Sequence, residues 1–348
     1  MDDYGSIISI GGYIMTEKEN YLKVLKHEMP DHVPVLIPIP ESDIPPAQFP
    51  FGLSCTSSHQ RGGGKDIWGV EYIATYETGN AVLPKPNEFI LDDITKWRDI
   101  INAPDISAYD WERIVKNDLD ECPADRTQTA LSWSLHVGYF QNLMAFMGFN
   151  NGLMAMFEEP EEVKALFDYM CDFYCRVTEA AIDIIKPDVY MVLDDSAAWA
   201  APFISDDMYR EMVLPYHKKQ IQYAIDRGIP VSMHNCGKCE TLVKDWIDAG
   251  ISMWDPAQIC NDLKKVKREY GDKIVIAGGW DPTGRLLDDD VTEEEIRESV
   301  KSVYNDLAHN GNYAFLAAYL GPLDDKNIVR KNKALLQAAY DLGQKIYR

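Results

Sequence analysis

Short apolar runs alternate with longer amphipathic stretches through most of the chain. The runs at 33–39, 130–137, 189–193, 231–234, 251–254, 274–277 and 313–317 are each bounded by Pro, Gly, Asp or Asn and predict strands. Between them, apolar positions recur at helical spacing. Pro160-Glu161-Glu162 opens one such stretch, with Val163, Leu166, Phe167 and Met170 on a common face. Another starts at Ser205-Asp206-Asp207 and continues through Met208 and Met212 to about residue 225. Thr292-Glu293-Glu294-Glu295 is a capping-box start ahead of Ile296, Val300 and Val303. Strands alternating with helices imply βαβ units and a parallel sheet. Doubly wound and barrel arrangements both satisfy that pattern. Seven or eight units, with neither a GxGxxG nor a Walker loop among them, favour an α/β fold of the (β/α)8 TIM-barrel type.

Residues 49–110 break the rhythm. They hold Ser57-Ser58, Gly62-Gly63-Gly64 and a hairpin pattern around 68–76, and predict an N-terminal insertion over the active-site face of the barrel. No interdomain linker, repeat or low-complexity tail is evident, so residues 1–348 read as a single domain.

Charge narrows the range of partners. The chain has 34 basic and 56 acidic side chains, a formal net charge of −22. Nucleic-acid binding needs a basic stripe, and docking on an anionic membrane needs a basic face; neither is present in the sequence. No run approaches the ~18 consecutive apolar residues of a membrane span. Met1-Asp2-Asp3 is unlike the basic start of a secretion signal, so a cytoplasmic protein is expected. The seven cysteines, at 55, 122, 171, 175, 236, 239 and 260, do not read as a disulfide framework in such a setting. Cys171 and Cys175 lie four apart in a helical stretch and are expected to be buried.

The sharpest candidate chemistry lies in His234-Asn235-Cys236-Gly237-Lys238-Cys239, where a predicted strand ends. Barrel enzymes place their sites at that end. His and Cys two apart on extended backbone project to one side, and both are preferred zinc ligands. A buried His beside a buried Cys, or a redox CxxC at a helix start, would also produce the pattern. Asp194-Asp195 end another strand, where paired carboxylates are costly unless they meet a cation, a proton or a donor; a helix cap with one solvated Asp is the alternative. Gly278-Gly279-Trp280-Asp281 follow a third strand, with Trp280 a candidate floor for a planar ligand. His136, at the end of 131–136, is a weaker candidate. His27, His32, His59, His217 and His309 read as surface or packing residues.

Taken in order, these motifs resemble the uroporphyrinogen decarboxylase superfamily, and within it the zinc- and corrinoid-dependent methyltransferases. The resemblance runs from Met15-Thr16-Glu17-Lys18 and Pro30-Asp31-His32-Val33-Pro34 through Trp68-Gly69-Val70-Glu71 and Asp194-Asp195. It continues with Pro202-Phe203-Ile204-Ser205, Met208-Tyr209-Arg210 and Pro215-Tyr216-His217-Lys218, and ends with His234-Asn235-Cys236-Gly237 and Gly278-Gly279-Trp280-Asp281. It implies a (β/α)8 barrel whose funnel holds zinc, bound by His234, Cys236 and a third ligand. Two departures matter. The arginine-rich stretch of true uroporphyrinogen decarboxylases is replaced by Pro38-Ile39-Pro40-Glu41-Ser42-Asp43, so an octaanionic tetrapyrrole is not the expected substrate. The second zinc-binding Cys of the methyltransferases is absent from 315–322, leaving Cys239, Asp194 or Asp195 as replacements. Asp194 and Asp195 are then expected in catalysis, and His136, Trp280 and Tyr319 beside the substrate.

The resemblance implies transfer of a methyl group from a small methylated donor, favoured here as an aromatic methyl ether, to the Co(I) of a separate corrinoid protein. Thiol methylation from methylcobalamin, a decarboxylase or lyase acting on a small acid, and a corrinoid-binding barrel are the alternatives. The 49–110 segment is expected to form the partner's docking rim, with Trp68 and Tyr72 as contacts.

Overall fold

A computed structural model of the chain describes residues 15–56, 62–76, 79, 81–135 and 138–347. Its strands are β1 (Gln48–Phe51), β2 (Gly63–Lys65), β3 (Glu71–Ala74), β4 (Val82–Pro84), β5 (Ala130–Trp133), β6 (Val189–Leu193), β7 (Val231–His234), β8 (Met253–Ala257), β9 (Val275–Gly278) and β10 (Tyr313–Ala314). Its helices are α1 (Glu17–Leu25), α2 (Trp97–Ile100), α3 (Trp111–Glu121), α4 (Tyr139–Met147), α5 (Phe149–Glu158), α6 (Pro160–Ile185), α7 (Asp206–Met212), α8 (Leu214–Ile225), α9 (Val243–Ala249), α10 (Leu263–Tyr270), α11 (Glu293–Leu307) and α12 (Lys326–Gly343).

Seven strands form one parallel sheet in the order β1-β5-β6-β7-β8-β9-β10. The two edges of the sheet, β1 and β10, are linked through a segment that lies between them. Val35 makes a parallel bridge to Phe315, just beyond β10, and its carbonyl accepts the N–H of Ala47, just ahead of β1. Residues 33–36 thus join the two edges, the closure that a TIM-barrel-like fold requires. The predicted strand at 33–39 is reduced to this contact.

Helix α1 packs on the N-terminal ends of the strands. Tyr21, Val24 and Leu25 share a buried cluster with Ala130, Val189, Met253 and Val275, each the first residue of its strand. Thr16 and Glu19 form a reciprocal capping box that starts α1, as Thr292 and Glu295 do for α11. The opposite, C-terminal ends of the strands are left to the loops that carry the candidate chemistry.

Three local expectations change. Residues 205–225 form two helices, α7 and α8, divided at Val213; Pro215 lies in the first turn of α8, where its missing N–H is harmless. Residues 49–51, expected to lie in the inserted segment, instead belong to the barrel sheet as part of β1, a strand whose Pro50 interrupts the apolar pattern. The hairpin expected around 68–76 is a three-stranded antiparallel sheet, β2-β3-β4, with Trp68 in the turn between β2 and β3. Among the described residues, no helix is long and apolar enough to cross a membrane.

Candidate metal centre and adjoining cavity

Parallel register brings the strand ends together. Leu193 of β6 pairs with His234 of β7, and His234 pairs with Asp255 of β8. The ladder continues past the strands: Asp194 N–H donates to the His234 carbonyl at 3.0 Å, and Asn235 N–H donates to the Asp255 carbonyl at 2.8 Å. The backbone then turns sharply at Gly237, which has φ +85°, and a Cβ there would lie 2.3 Å from the Ala197 carbonyl oxygen. Only glycine allows so close an approach. Asn235 holds the neighbouring loop, accepting the Ser196 N–H and donating to the Ser196 hydroxyl.

On this frame His234, Cys236 and Asp195 converge. Their ligand atoms lie within 4.8 Å of one another. His234 Nε2 is 3.7 Å from Cys236 Sγ and 4.0 Å from Asp195 Oδ1. Tetrahedral zinc with bonds of ~2.0–2.3 Å sets its ligands roughly 3.3–3.8 Å apart, so small side-chain adjustments suffice. His234 Nδ1–H donates to Asp255 Oδ1 at 2.7 Å, which turns Nε2 toward the other two. Asp195 Oδ1 accepts the Cys236 N–H at 2.8 Å. Burial opposes the His234 cation, but hydrogen bonds to Asp255 and Cys236 hold its pKa well above the ordinary histidine value. Burial pushes the Cys236 thiol up, an effect that His234 partly offsets and Asp195 reinforces. The donor set fits a zinc ion: imidazole, thiolate and carboxylate, with a second carboxylate behind the imidazole.

The other candidates are placed differently. Asp194 points away from the cluster into a fully buried setting, where it accepts N–H groups from Phe140 (3.1 Å) and Gln141 (3.0 Å) and Nε2–H of His217 (3.0 Å). Strand alternation separates the two aspartates. His217, expected at the surface or in packing, is this buried partner. Cys239 is buried, its thiol directed at the carbonyls of Asn235 and Gly237, and it is not in the cluster. Burial raises its pKa strongly.

Asp195 and Cys236 also line a cavity of about 540 Å³. Tyr72 and residues 82–86 contribute one wall, Phe140, Gln141 and Met144 of α4 another, and Phe89, Phe149 and Phe203 complete an aromatic lining. Phe140 and Phe203 stack at 5.9 Å with 15° between their planes. Trp280 and Tyr319 do not line it. Trp280 is drawn toward the helix layer, its indole N–H donating to Ser299 of α11 at 2.8 Å and its ring packed 5.2 Å from Tyr319. His136 lies outside the described residues. Trp68 is buried, donating to the Tyr174 hydroxyl at 2.8 Å, and Tyr72 is buried too, so neither forms an exposed docking contact.

Asp255 and Gln141 were missed in the sequence. Asp255 had a signal, an acid where an apolar run ends at the same barrel face. Gln141 had none.

The sequence profile of the family described as Uroporphyrinogen decarboxylase (URO-D) matches residues 135–318. Uroporphyrinogen decarboxylase of Chlorobium luteolum is 28% identical over 138 residues, covering 37% of this chain and 35% of its own. That of Pelodictyon phaeoclathratiforme is 27% identical over 180 residues, covering 50% of this chain and 48% of its own. The chain thus spans between about a third and a half of the length of these curated relatives. Among solved structures, a methyltransferase from Methanosarcina mazei superposes with a TM-score of 0.65 at 15% identity, over 94% of this chain and 99% of the other, a likeness of fold.

Proposed function

The chain belongs to the uroporphyrinogen decarboxylase family, and from that premise we propose that it is a zinc-dependent methyltransferase. In this reading it moves a methyl group from an aromatic methyl ether to the Co(I) of a corrinoid carried by a separate protein. The observation that carries the reading is the meeting of Asp195, His234 and Cys236, two of which, Asp195 and Cys236, line an apolar, aromatic-lined cavity. A zinc ion held by these three residues supplies, when bound, a Lewis acid for the departing oxygen.

The chain's own residues do the rest. Asp255 keeps His234 in the tautomer whose Nε2 faces the cluster. The Cys236 N–H fixes one oxygen of Asp195. The phenylalanine walls suit a planar ring, through stacked and edge contacts, and exclude water from it. In-line transfer needs donor carbon and cobalt to approach directly, so one side of the cavity must stay open to the partner. Phe89, Phe149 and Phe203 are 43%, 48% and 36% exposed, as residues around such an opening would be. The β2-β3-β4 sheet is the rim on this reading, and the site works in solution with a protein partner.

The activity named for the curated relatives favours, as a second reading, decarboxylation of a small acid. Uroporphyrinogen itself is a poor fit. Lys85 is the one basic residue among the described residues lining the cavity, against eight carboxylates on that substrate.

Metal analysis and cob(I)alamin methylation across methoxyaromatics, methylamines, methanol and methyl thiols test the proposal. It requires about one zinc per chain, lost on His234→Ala or Cys236→Ala, and methylcobalamin formed from a methoxyaromatic. Uroporphyrinogen decarboxylation by metal-free protein, with no demethylation from any donor, would overturn it.

A further inference from the structure

Asp194 and Asp195 point to opposite sides of the chain, yet both bind the same residue. Gln141, in the first turn of α4, donates its backbone N–H to Asp194 Oδ1 at 3.0 Å and its side-chain Nε2–H to Asp195 Oδ2 at 3.3 Å. Asp194 is the fixed end. It is fully buried, is held also by the Phe140 N–H and by His217, and faces Gly138 so closely that a Cβ there would lie 1.9 Å from its carboxyl carbon. The start of α4 is therefore locked in place, and the Gln141 side chain reaches out from a rigid base.

Asp195 is the movable end. Its Oδ1 accepts the Cys236 N–H at 2.8 Å, but one hydrogen bond leaves the carboxylate free to rotate about that contact. The Gln141 amide takes the other oxygen and removes that freedom. An amide is suited to this task because it is a neutral donor. A Lys or Arg in its place would pair with Asp195 and compete with a cation for the carboxylate. Gln141 also lines the cavity, beside Phe140 and Met144 of the same helix.

We propose that Gln141 is a positioning residue that aims Asp195 at His234 and Cys236, so that the cavity wall formed by α4 and the metal cluster are held as one unit. The inference rests on the metal-centre reading above and adds to it the residue that makes a carboxylate serviceable as the third ligand.

The test is zinc affinity of the full-length chain, measured by competition with a chromophoric chelator, together with the visible spectrum of the Co(II)-substituted protein. Gln141→Leu should weaken zinc binding about tenfold or more, as loss of an outer-sphere partner commonly does, and should shift the Co(II) bands. Gln141→Met, equal in length but without the amide, should do the same and covers the case in which the Leu variant fails to fold. Because Gln141 acts through Asp195, Gln141→Leu should cause no further loss in an Asp195→Ala background. Wild-type affinity and an unchanged spectrum in both Gln141 variants would overturn the inference while leaving the metal centre standing. So would an equal further loss in the Asp195→Ala background. Absence of zinc binding by the wild-type chain would instead remove the metal-centre reading, and the inference with it.

Discussion

Asp66, in the turn between β2 and β3, should make the cavity wall sensitive to pH. Its Oδ1 accepts the N–H groups of Trp68 at 2.9 Å and Val70 at 2.8 Å, while its buried Oδ2 has no hydrogen-bond partner among the described residues. Burial pushes its pKa from 3.8 to about 6, against the opposing pull of those backbone N–H groups. The folded state therefore binds the proton more tightly than the unfolded chain does. Stability from this group is fully present below about pH 4 and is lost as pH rises through about 6. A shift of about two pKa units corresponds to ~3 kcal/mol, or roughly a 150-fold change in an opening equilibrium. The effect belongs to the β2-β3-β4 sheet, which supplies Tyr72 and residues 82–84 of the cavity lining. Hydrogen exchange of peptides covering 63–74 reads it directly. In the wild-type chain, intrinsic-rate-corrected protection should fall by about two orders of magnitude between pH 4 and pH 7.5. In Asp66→Asn, which keeps the Oδ1 acceptor and cannot ionise, protection should be flat over that range. Wild-type and variant profiles that run parallel would refute the reasoning, because the pH dependence would then come from another group.

Other expectations concern the site and its partner. Asp255→Asn should weaken zinc binding by about 10–100-fold in a chelator competition, because an Asn side chain gives His234 Nδ1 a weaker acceptor than the carboxylate it now meets at 2.7 Å. Gly138→Ala should destabilise the fold by an amount at the upper end of the ~1–3 kcal/mol typical of overpacking, read as a lowered thermal midpoint, since the added Cβ would meet an Asp194 side chain that three donors hold in place. With a net charge of −22, transfer to a corrinoid protein bearing a complementary patch should slow at high salt. Stopped-flow measurement should assign that loss to encounter rather than to the transfer step.

What could be read along the chain was what neighbours in sequence decide. The alternation of short apolar runs and amphipathic helices, the capping box at Thr292, and the projection of His234 and Cys236 to one side all follow from periods of about 3.6 and 2 residues acting within a few positions. The order of motifs identified the family for the same reason, being a property of the sequence itself.

Composition of the site was decided elsewhere. Two adjacent aspartates must point opposite ways on extended backbone, but nothing local says which one faces the funnel. The register of β6 against β7 decides it, turning Asp195 to the cluster and Asp194 to His217 and the start of α4. Asp255 meets His234 because β8 lies next to β7, 21 positions further along the chain. Trp280 and Tyr319 were drawn into the helix layer by Ser299 and by each other. The cavity wall from 82–89 comes from a segment more than a hundred residues away from the metal ligands. Hydrogen-bond partners and pocket walls are set by distances in space, and a folded sheet brings together side chains whose separation along the chain carries no record of that proximity.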